Sequence, residues 1–562
     1  MSKFPPKTKK PESAYIIKPP VKHNWSEFQK DIFRDISKGS GHTVIIARAG
    51  SAKSTSLIEG SRYVPAGKRS LFCAFNKSIQ EELKSKLSDR CECLTLHSLG
   101  FRAIKQKFGK VELDENKCWK IVTAFFDDEK GKFDLINNIV RAVELCKATL
   151  TDVPSKIEEL LIKYDIDLCE ETVEQFTKYI IQTLRICKEQ TSVIDFNDMV
   201  WLCFVYKLNP GKYDFVFLDE AHDCHRAQIE LALSACKPDG RVIAVLDDRQ
   251  AIYSWRGADA EVLENFKKRL NPKILTLPIC YRCPKKVVWL AQTIVPDIQM
   301  FDNAIDGEII NLHMNDLIKT AKPGDYVISR TNAPLIKHCL QFLKKGIPSN
   351  ILGRDIGNNL SYIVKKSKRK TVEAFLKWLE KWEETEKANL IAKYPKAGTD
   401  TITDKVDCLK ILCDDAKTIE EVNSNIKNLF KDNDEKKIVL FSSIHRSKGK
   451  ESNNVFILKD TLRGGTLEED NIRYVATTRA KQKLYLVSKI DLKDDFTSNN
   501  LENDFYSGRA INGLKADYYE LDKERDLGDN TFGNLTTNTK MENYLSDNFD
   551  AESVDDFIPF LG

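Results

Sequence analysis

The sequence predicts an α/β protein built on a doubly wound parallel sheet. Two observations lead there. Apolar, β-branched runs alternate with helix-patterned segments. Two of those runs also end in residues suited to phosphate and metal, at the strand ends where such sheets collect ligands. Val44–Ile46 runs through small residues into Lys53-Ser54-Thr55, and Phe215–Leu218 runs into Asp219-Glu220.

The first run organises the chain. Val44-Ile-Ile-Ala-Arg-Ala-Gly-Ser-Ala-Lys-Ser-Thr55 reads as strand, small-residue turn, Lys-Ser/Thr and helix, the layout of a phosphate-binding P-loop. In such a loop the backbone N–H groups of Ala49, Gly50, Ser51 and Ala52 and the helix N-terminus face phosphate, Lys53 reaches the terminal groups, and Ser54 can ligate Mg²⁺ with Thr55 beside it. Ala47 and Ala52 stand where GxxxxGK[ST] has glycine. Taken alone, the stretch fits an ordinary strand–turn–helix corner as well.

Upstream, residues 1–23 are Lys- and Pro-rich without apolar periodicity and read as a disordered basic arm. Ser26 is placed to cap a short helix, and Gln29 either reads adenine through its amide or sits solvated on that helix. Downstream, Ser70–Asn76 and Cys93–Ser98 read as further strands, with Thr95 and His97 at a strand end where a nucleic-acid phosphate can be touched. A lone His there is also an ordinary turn residue. Residues 101–190 carry helical spacing (Ile136, Ile139, Val140, Val143, Cys146) and read as a helical insertion. Phe215–Glu220 delivers two acids from a strand, Asp219 for Mg²⁺ and Glu220 for water. Arg241–Leu246 leads into Gln250, placed to sense a γ-phosphate, then Tyr253, Trp255 and Arg256, aromatics and a cation suited to unpaired bases and backbone.

Composition bounds the rest. The 562 residues require several domains, and 42% hydrophobic with 30% charged residues describes a globular protein. No apolar run is long enough to span a bilayer and no signal-peptide core opens the chain. The 15 cysteines lack a framework, and Cys280-x-x-Cys283 is a lone pair with no second pair to close a zinc site. A reducing, cytoplasmic-type compartment is expected, that of a bacterium (the nucleoid included) or of a phage-infected cell. The net charge of +4 hides an asymmetry: Asp494–Gly562 holds 16 acidic against 5 basic residues, leaving a basic body suited to a polyanion.

The ordered series of motifs resembles the superfamily 1 DNA helicases of the UvrD/Rep/PcrA type. ARAGSAKST (47–55), AFNKS (74–78), TLHS (95–98), LDEAHD (218–223), LDDRQAIYSWRGA (246–258), CYR (280–282), SSIHRSKGKE (442–451) and EEDNIRYVATTRA (468–480) fall in family order. The resemblance implies two RecA-like domains in a 1A/1B/2A/2B-like layout. Residues 24–107 and 191–290 form the first motor domain and 108–190 its helical insertion. Residues 291–360 and 436–492 form the second, 361–435 a reduced helical insertion, and 493–562 a disordered acidic tail.

It further implies that Gln29 and Tyr281 hold adenine and that Lys53, Ser54, Asp219 and Glu220 serve phosphate, Mg²⁺ and water. Gln250, Arg282 and Arg479 surround the γ-phosphate, Arg479 as a finger projecting into the cleft, with Glu451 near the nucleotide. Thr95, His97, Tyr253, Trp255, Arg256, Arg330 and His445 contact the strand. The chain departs from the family at Ala52, at His222 (usually Gln, so a source of pH sensitivity), and at Leu246 and Arg249.

The implied function is an ATP- and Mg²⁺-dependent DNA helicase or translocase on single strands and single–double-strand junctions, moving 3′→5′, as a monomer or a nucleic-acid-dependent oligomer without membrane association. A translocase that strips proteins without unwinding, and a nucleotide-gated nucleic-acid-binding module, are the alternatives. Asp555–Gly562 resembles the acidic tip of bacterial single-strand binding proteins, a route to replication or repair partners.

Overall fold

The computed structural model describes residues 24–489, apart from 75, 127–131, 165, 170, 253–261, 394–398 and 431–434. Both large sheets are six-stranded and wholly parallel, as the buried β-branched runs require. The first holds β1 (Thr43–Ala47), β2 (Ser70–Ala74), β3 (Cys91–Thr95), β4 (Tyr213–Leu218), β5 (Cys236–Leu246) and β6 (Lys273–Leu277), in the order β3-β2-β4-β5-β1-β6. Ile46 lies beside Leu246, and Leu218 beside Ala244. That register brings the ends of β1, β4 and β5 to one edge, where ligands of such sheets bind.

The second sheet holds β7 (Glu308–His313), β8 (Tyr326–Ser329), β9 (Ser349–Ile351), β10 (Val439–Ser443), β11 (Ser452–Leu458) and β12 (Ala480–Ser488), in the order β7-β12-β11-β8-β10-β9. One buried cluster runs from Ala49, Ile252, Cys280 and Val287 of the first lobe to Ile472 and Tyr474 of the second, so the lobes share packing behind the P-loop.

Two expectations change in detail. Cys93–Ser98 is not strand throughout: β3 ends at Thr95, whose hydroxyl accepts the Ser98 N–H and starts a helix at Leu96. Within the Lys/Glu-rich stretch, Glu112–Leu113 pairs with Val193–Ile194, a two-residue ladder too short to leave a period in the sequence.

Between them run helices Lys117–Thr123, Phe133–Thr149, Pro154–Lys163 and Val173–Glu189. Ile136, Ile139, Val143 and Cys146 line one buried face of Phe133–Thr149. The same helix sinks Lys147, whose ammonium lies 2.7 Å from both Asp195 and Asp198, while Lys117 donates to Asp198 at 2.7 Å. In the second lobe four helices (Arg354–Ser367, Val372–Lys393, Asp400–Cys413, Ile419–Leu429) stand between β9 and β10. Among the described residues no helix is long and apolar enough to cross a membrane.

Candidate active site

β1 ends at Ala47 and the chain turns through Arg48–Ala52 into the helix Lys53–Ser61. Gly50 has φ +69, and a Cβ there would lie 2.7 Å from Arg282 Cβ, so only glycine fits. Ala52 has φ 61 and ψ 41, the left-handed well that glycine enters without steric cost. That well costs a side chain about 1–2 kcal/mol, and glycine's freedom in the unfolded chain returns about 0.4–1 kcal/mol. Ala52→Gly is therefore expected to stabilise the protein by up to about 1.5 kcal/mol, read as a raised urea midpoint.

Lys53 Nζ lies 3.5 Å from Glu220 Oε2, and Ser54 Oγ donates to Asp219 Oδ2 at 2.5 Å. Hydroxyl and carboxylate oxygens facing each other suit Mg²⁺, a hard cation. Ser51 Oγ is buried without a hydrogen-bond partner among the described residues, as a loop shaped for further acceptor oxygens would leave it. Burial, then the neighbouring Glu220 charge, raises Asp219 to about 7. Glu220 itself sits at φ 49, strained backbone of the kind that gathers at working sites.

His222 corrects the expectation of pH sensitivity. It is buried, and desolvation plus the Lys448 and Lys53 charges hold its pKa well below the usual imidazole value. The ring therefore stays neutral through the physiological range, its Nδ1 accepting the Asp247 N–H at 3.2 Å. Gln250 donates through Nε2 to Asp247. Arg48 completes this layer, bonding Asp247, Asp248 and Asp297; sequence reasoning had left it unassigned.

The second lobe reaches this edge at several points. Tyr474 Oη accepts the Ala49 N–H at 2.8 Å, and Lys448 Nζ donates to Asp223 Oδ1 at 2.5 Å and to the Gln250 carbonyl at 2.7 Å. Neither residue had been singled out, although both lie inside the quoted motifs. Tyr474→Phe strands a buried N–H, and a loss of about 1–3 kcal/mol is expected, measured by denaturant unfolding.

Arg282 Nε pairs with Glu451 Oε2 at 2.5 Å. Arg479 does not project into the cleft. It is fully buried, donating to the Val475 carbonyl at 2.8 Å, Thr478 Oγ1 at 3.1 Å and the Lys450 carbonyl at 3.4 Å. Burial, then the Arg282 charge beside it, lowers its pKa to about 10. Two neighbouring guanidiniums make a place for a polyanion.

Other expected contacts are occupied by the protein. Gln29 is buried rather than solvated: its carbonyl accepts the Ser26 N–H in a capping box and its amide donates to Ser56 Oγ at 2.9 Å. Tyr281 packs against Phe301 (centroids 5.0 Å apart), and its N–H donates to the Gly50 carbonyl. Thr55 is exposed on the P-loop helix. Arg330 is engaged by both carboxylate oxygens of Glu469.

Thr95 is spent on its cap, while His97 meets the ring of Phe196, which is 45% exposed. His445 sits half-buried in the short helix after β10. Tyr253, Trp255, Arg256 and the acidic tail lie outside the described residues.

A P-loop, a strand-borne acid pair and a second parallel-sheet lobe at one edge define a two-lobed nucleotide-binding class. Residues 28–271 match the UvrD/REP helicase N-terminal domain, and 439–487 match the UvrD-like helicase C-terminal domain. The chain belongs to the UvrD-like superfamily 1 helicases.

It is similar to the ATP-dependent DNA helicase Rep of Buchnera aphidicola subsp. Acyrthosiphon pisum, 23% identical over 46% of this chain and 43% of the relative. It is 22% identical to the ATP-dependent DNA helicase PcrA of Bacillus subtilis over 45% of this chain and 37% of the relative. With the F-box DNA helicase protein 1 of Schizosaccharomyces pombe it shares 24% identity over 78% of this chain and 55% of the relative. The chain spans about half the length of the curated relatives it matches.

Proposed function

We propose that this protein is an ATP- and Mg²⁺-dependent DNA helicase or translocase that tracks single strands and single–double-strand junctions in the 3′→5′ direction. The observation that carries the reading is the meeting of both lobes at the P-loop edge, through Tyr474 on Ala49 and Lys448 on Asp223 and Gln250. A nucleotide held there binds the lobes to one another, and its loss frees them, which is the coupling a motor needs.

In this reading 24–107 with 191–290 is domain 1A, 108–190 is 1B, 291–360 with 436–492 is 2A, 361–435 is a reduced 2B, and 493–562 is an acidic tail. Lys53 and the P-loop amides of residues 49–52 hold phosphate, and Ser54 and Asp219 hold Mg²⁺, which when bound neutralises phosphate oxygens. Glu220 orients the attacking water, Gln250 and Arg282 stabilise charge on the transferring group, and Arg479 joins Arg282 when the anion arrives. Tyr281 and Gln29 flank the base and Glu451 the sugar side, Gln29 by exchanging its bond to Ser56. Tyr253, Trp255, Arg256, Thr95, His97, His445 and the exposed Phe196 line the strand path, with Arg330 there only if it leaves Glu469.

The deciding experiment is phosphate release titrated with single-stranded DNA, RNA and duplex, followed by unwinding of duplexes with 3′ or 5′ tails. Stimulation by single-stranded DNA with unwinding from the 3′ tail is expected. No stimulated phosphate release would leave only a nucleotide-gated binding module, and stimulation without unwinding would point to a protein-displacing translocase.

A further inference from the structure

Cys280 and Cys283 lie between the two lobes and have no part in the reading above. Both are buried, Cys280 at 0% and Cys283 at 1% exposure. They flank Tyr281 and Arg282 just before the helix Lys285–Gln292, whose N-terminal field favours negative charge. The Cys280 sulfur accepts the Cys283 N–H at 3.5 Å, and the Cys283 thiol lies between that sulfur and the Thr478 carbonyl, 3.6 Å away. On the other side the pair abuts the P-loop, since a Cβ on Gly50 would come within 2.8 Å of Cys280 Sγ. Both sulfurs are closed to solvent, so an oxidant reaches Cys280 only when its contact with Gly50 opens. Among the described residues no third ligand joins them to make a metal site.

The chemistry of the two thiols is uneven in the manner of reactive Cys-x-x-Cys pairs. The Cys283 hydrogen bond, opposed by burial but aided by the backbone N–H groups and Arg282, brings Cys280 down to about 7. The hydrogen bond to Cys280, then burial, pushes Cys283 up. One sulfur is thus ready to attack and the other is held as a resolving thiol.

We propose that Cys280 and Cys283 are a redox-modification site for low-molecular-weight disulfides, and that their oxidation to an intramolecular disulfide switches off the adjacent nucleotide site. The inference rests on the nucleotide site assigned above. The Cys280 thiolate attacks one sulfur of RSSR and expels RS⁻. Cys283 then gives up its proton and displaces the second RS⁻ from Cys280. Two electrons pass from the dithiol to RSSR, and the two protons of the dithiol end on the two departing thiols. The new bond removes the Cys283 donor from Thr478 and tightens the Tyr281–Arg282 turn, drawing Arg282 from Glu451.

The test uses the full chain treated with oxidised glutathione, with every cysteine mapped by alkylation and mass spectrometry and phosphate release assayed in parallel. The expected result is a Cys280–Cys283 disulfide, a fall in turnover of at least about tenfold, and recovery on adding dithiothreitol. Cys283→Ser is expected to keep basal turnover and, with the oxidant, to stop at a Cys280–glutathione mixed disulfide, read as one added glutathione by mass spectrometry. Mapping in the unmodified chain stands even if that variant fails to fold. Turnover of the reduced protein is read first, so absence of any hydrolysis would fault the nucleotide reading, while the mapped bond judges the dithiol separately.

The competing pair is Cys118 and Cys187, whose sulfurs lie 3.7 Å apart beneath Lys147 inside the helical insertion. Oxidation of that pair with Cys280 and Cys283 left reduced would overturn the proposal, as would a Cys280–Cys283 disulfide with unchanged turnover.

Discussion

Lys53→Ala is expected to lower DNA-stimulated phosphate release by at least about 10²–10³-fold, the scale of removing one preorganised charge from a phosphoryl-transfer site. The side chain is only 10% exposed and its one ion pair among the described residues is with Glu220 at 3.5 Å, loose enough to give way to phosphate. Its loss therefore costs little in folding and much in chemistry. A circular-dichroism melt matching the unmodified protein, beside lost phosphate release, is the pattern that supports the role. Retained turnover would remove Lys53 from the site.

Arg479→Ala is expected to act on both counts. The guanidinium makes three donor contacts in a fully buried position, so alanine leaves a cavity and acceptors unpaired, about 3–5 kcal/mol on the scale of deleting one partner from a buried polar set. Loss of an arginine finger costs about 10³–10⁵-fold in turnover. Arg479→Lys separates the two. It keeps charge and most of the volume but not the planar fork, so folding should survive while turnover falls far more than nucleotide affinity. Equal loss in affinity and turnover, measured by nucleotide titration and single-turnover hydrolysis, would make Arg479 a binding residue only.

The sheets were legible because Val44–Ile46, Phe215–Leu218 and Val242–Leu246 are apolar on both faces, as central parallel strands must be. Lys53, Ser54, Asp219 and Glu220 could be placed because each follows a strand directly, and strand ends converge. What stayed hidden is held by pairings across long sequence distances. Arg330 meets Glu469 across 139 positions, Gln29 meets Ser56 across 27, and Lys448 meets Asp223 across 225. No local period records these. His222 illustrates the same limit, since its neutrality comes from burial and two distant lysines. Arg479 illustrates it too: the motif names the residue but not the conformation, which is retracted here.

The ammonium of Lys147 under the helical insertion carries a consequence for anyone redesigning this chain. With Lys117, Asp195 and Asp198 it forms a buried set, and each member is the counter-ion of another. Such a set behaves as a single indivisible part. Changing Asp198 alone strips Lys117 of its carboxylate and leaves Lys147 with Asp195 only, whereas exchanging all four for matched aliphatics can come out neutral or better. A library that samples these positions one at a time would thus score them as immutable, and only a combinatorial one would find the route out.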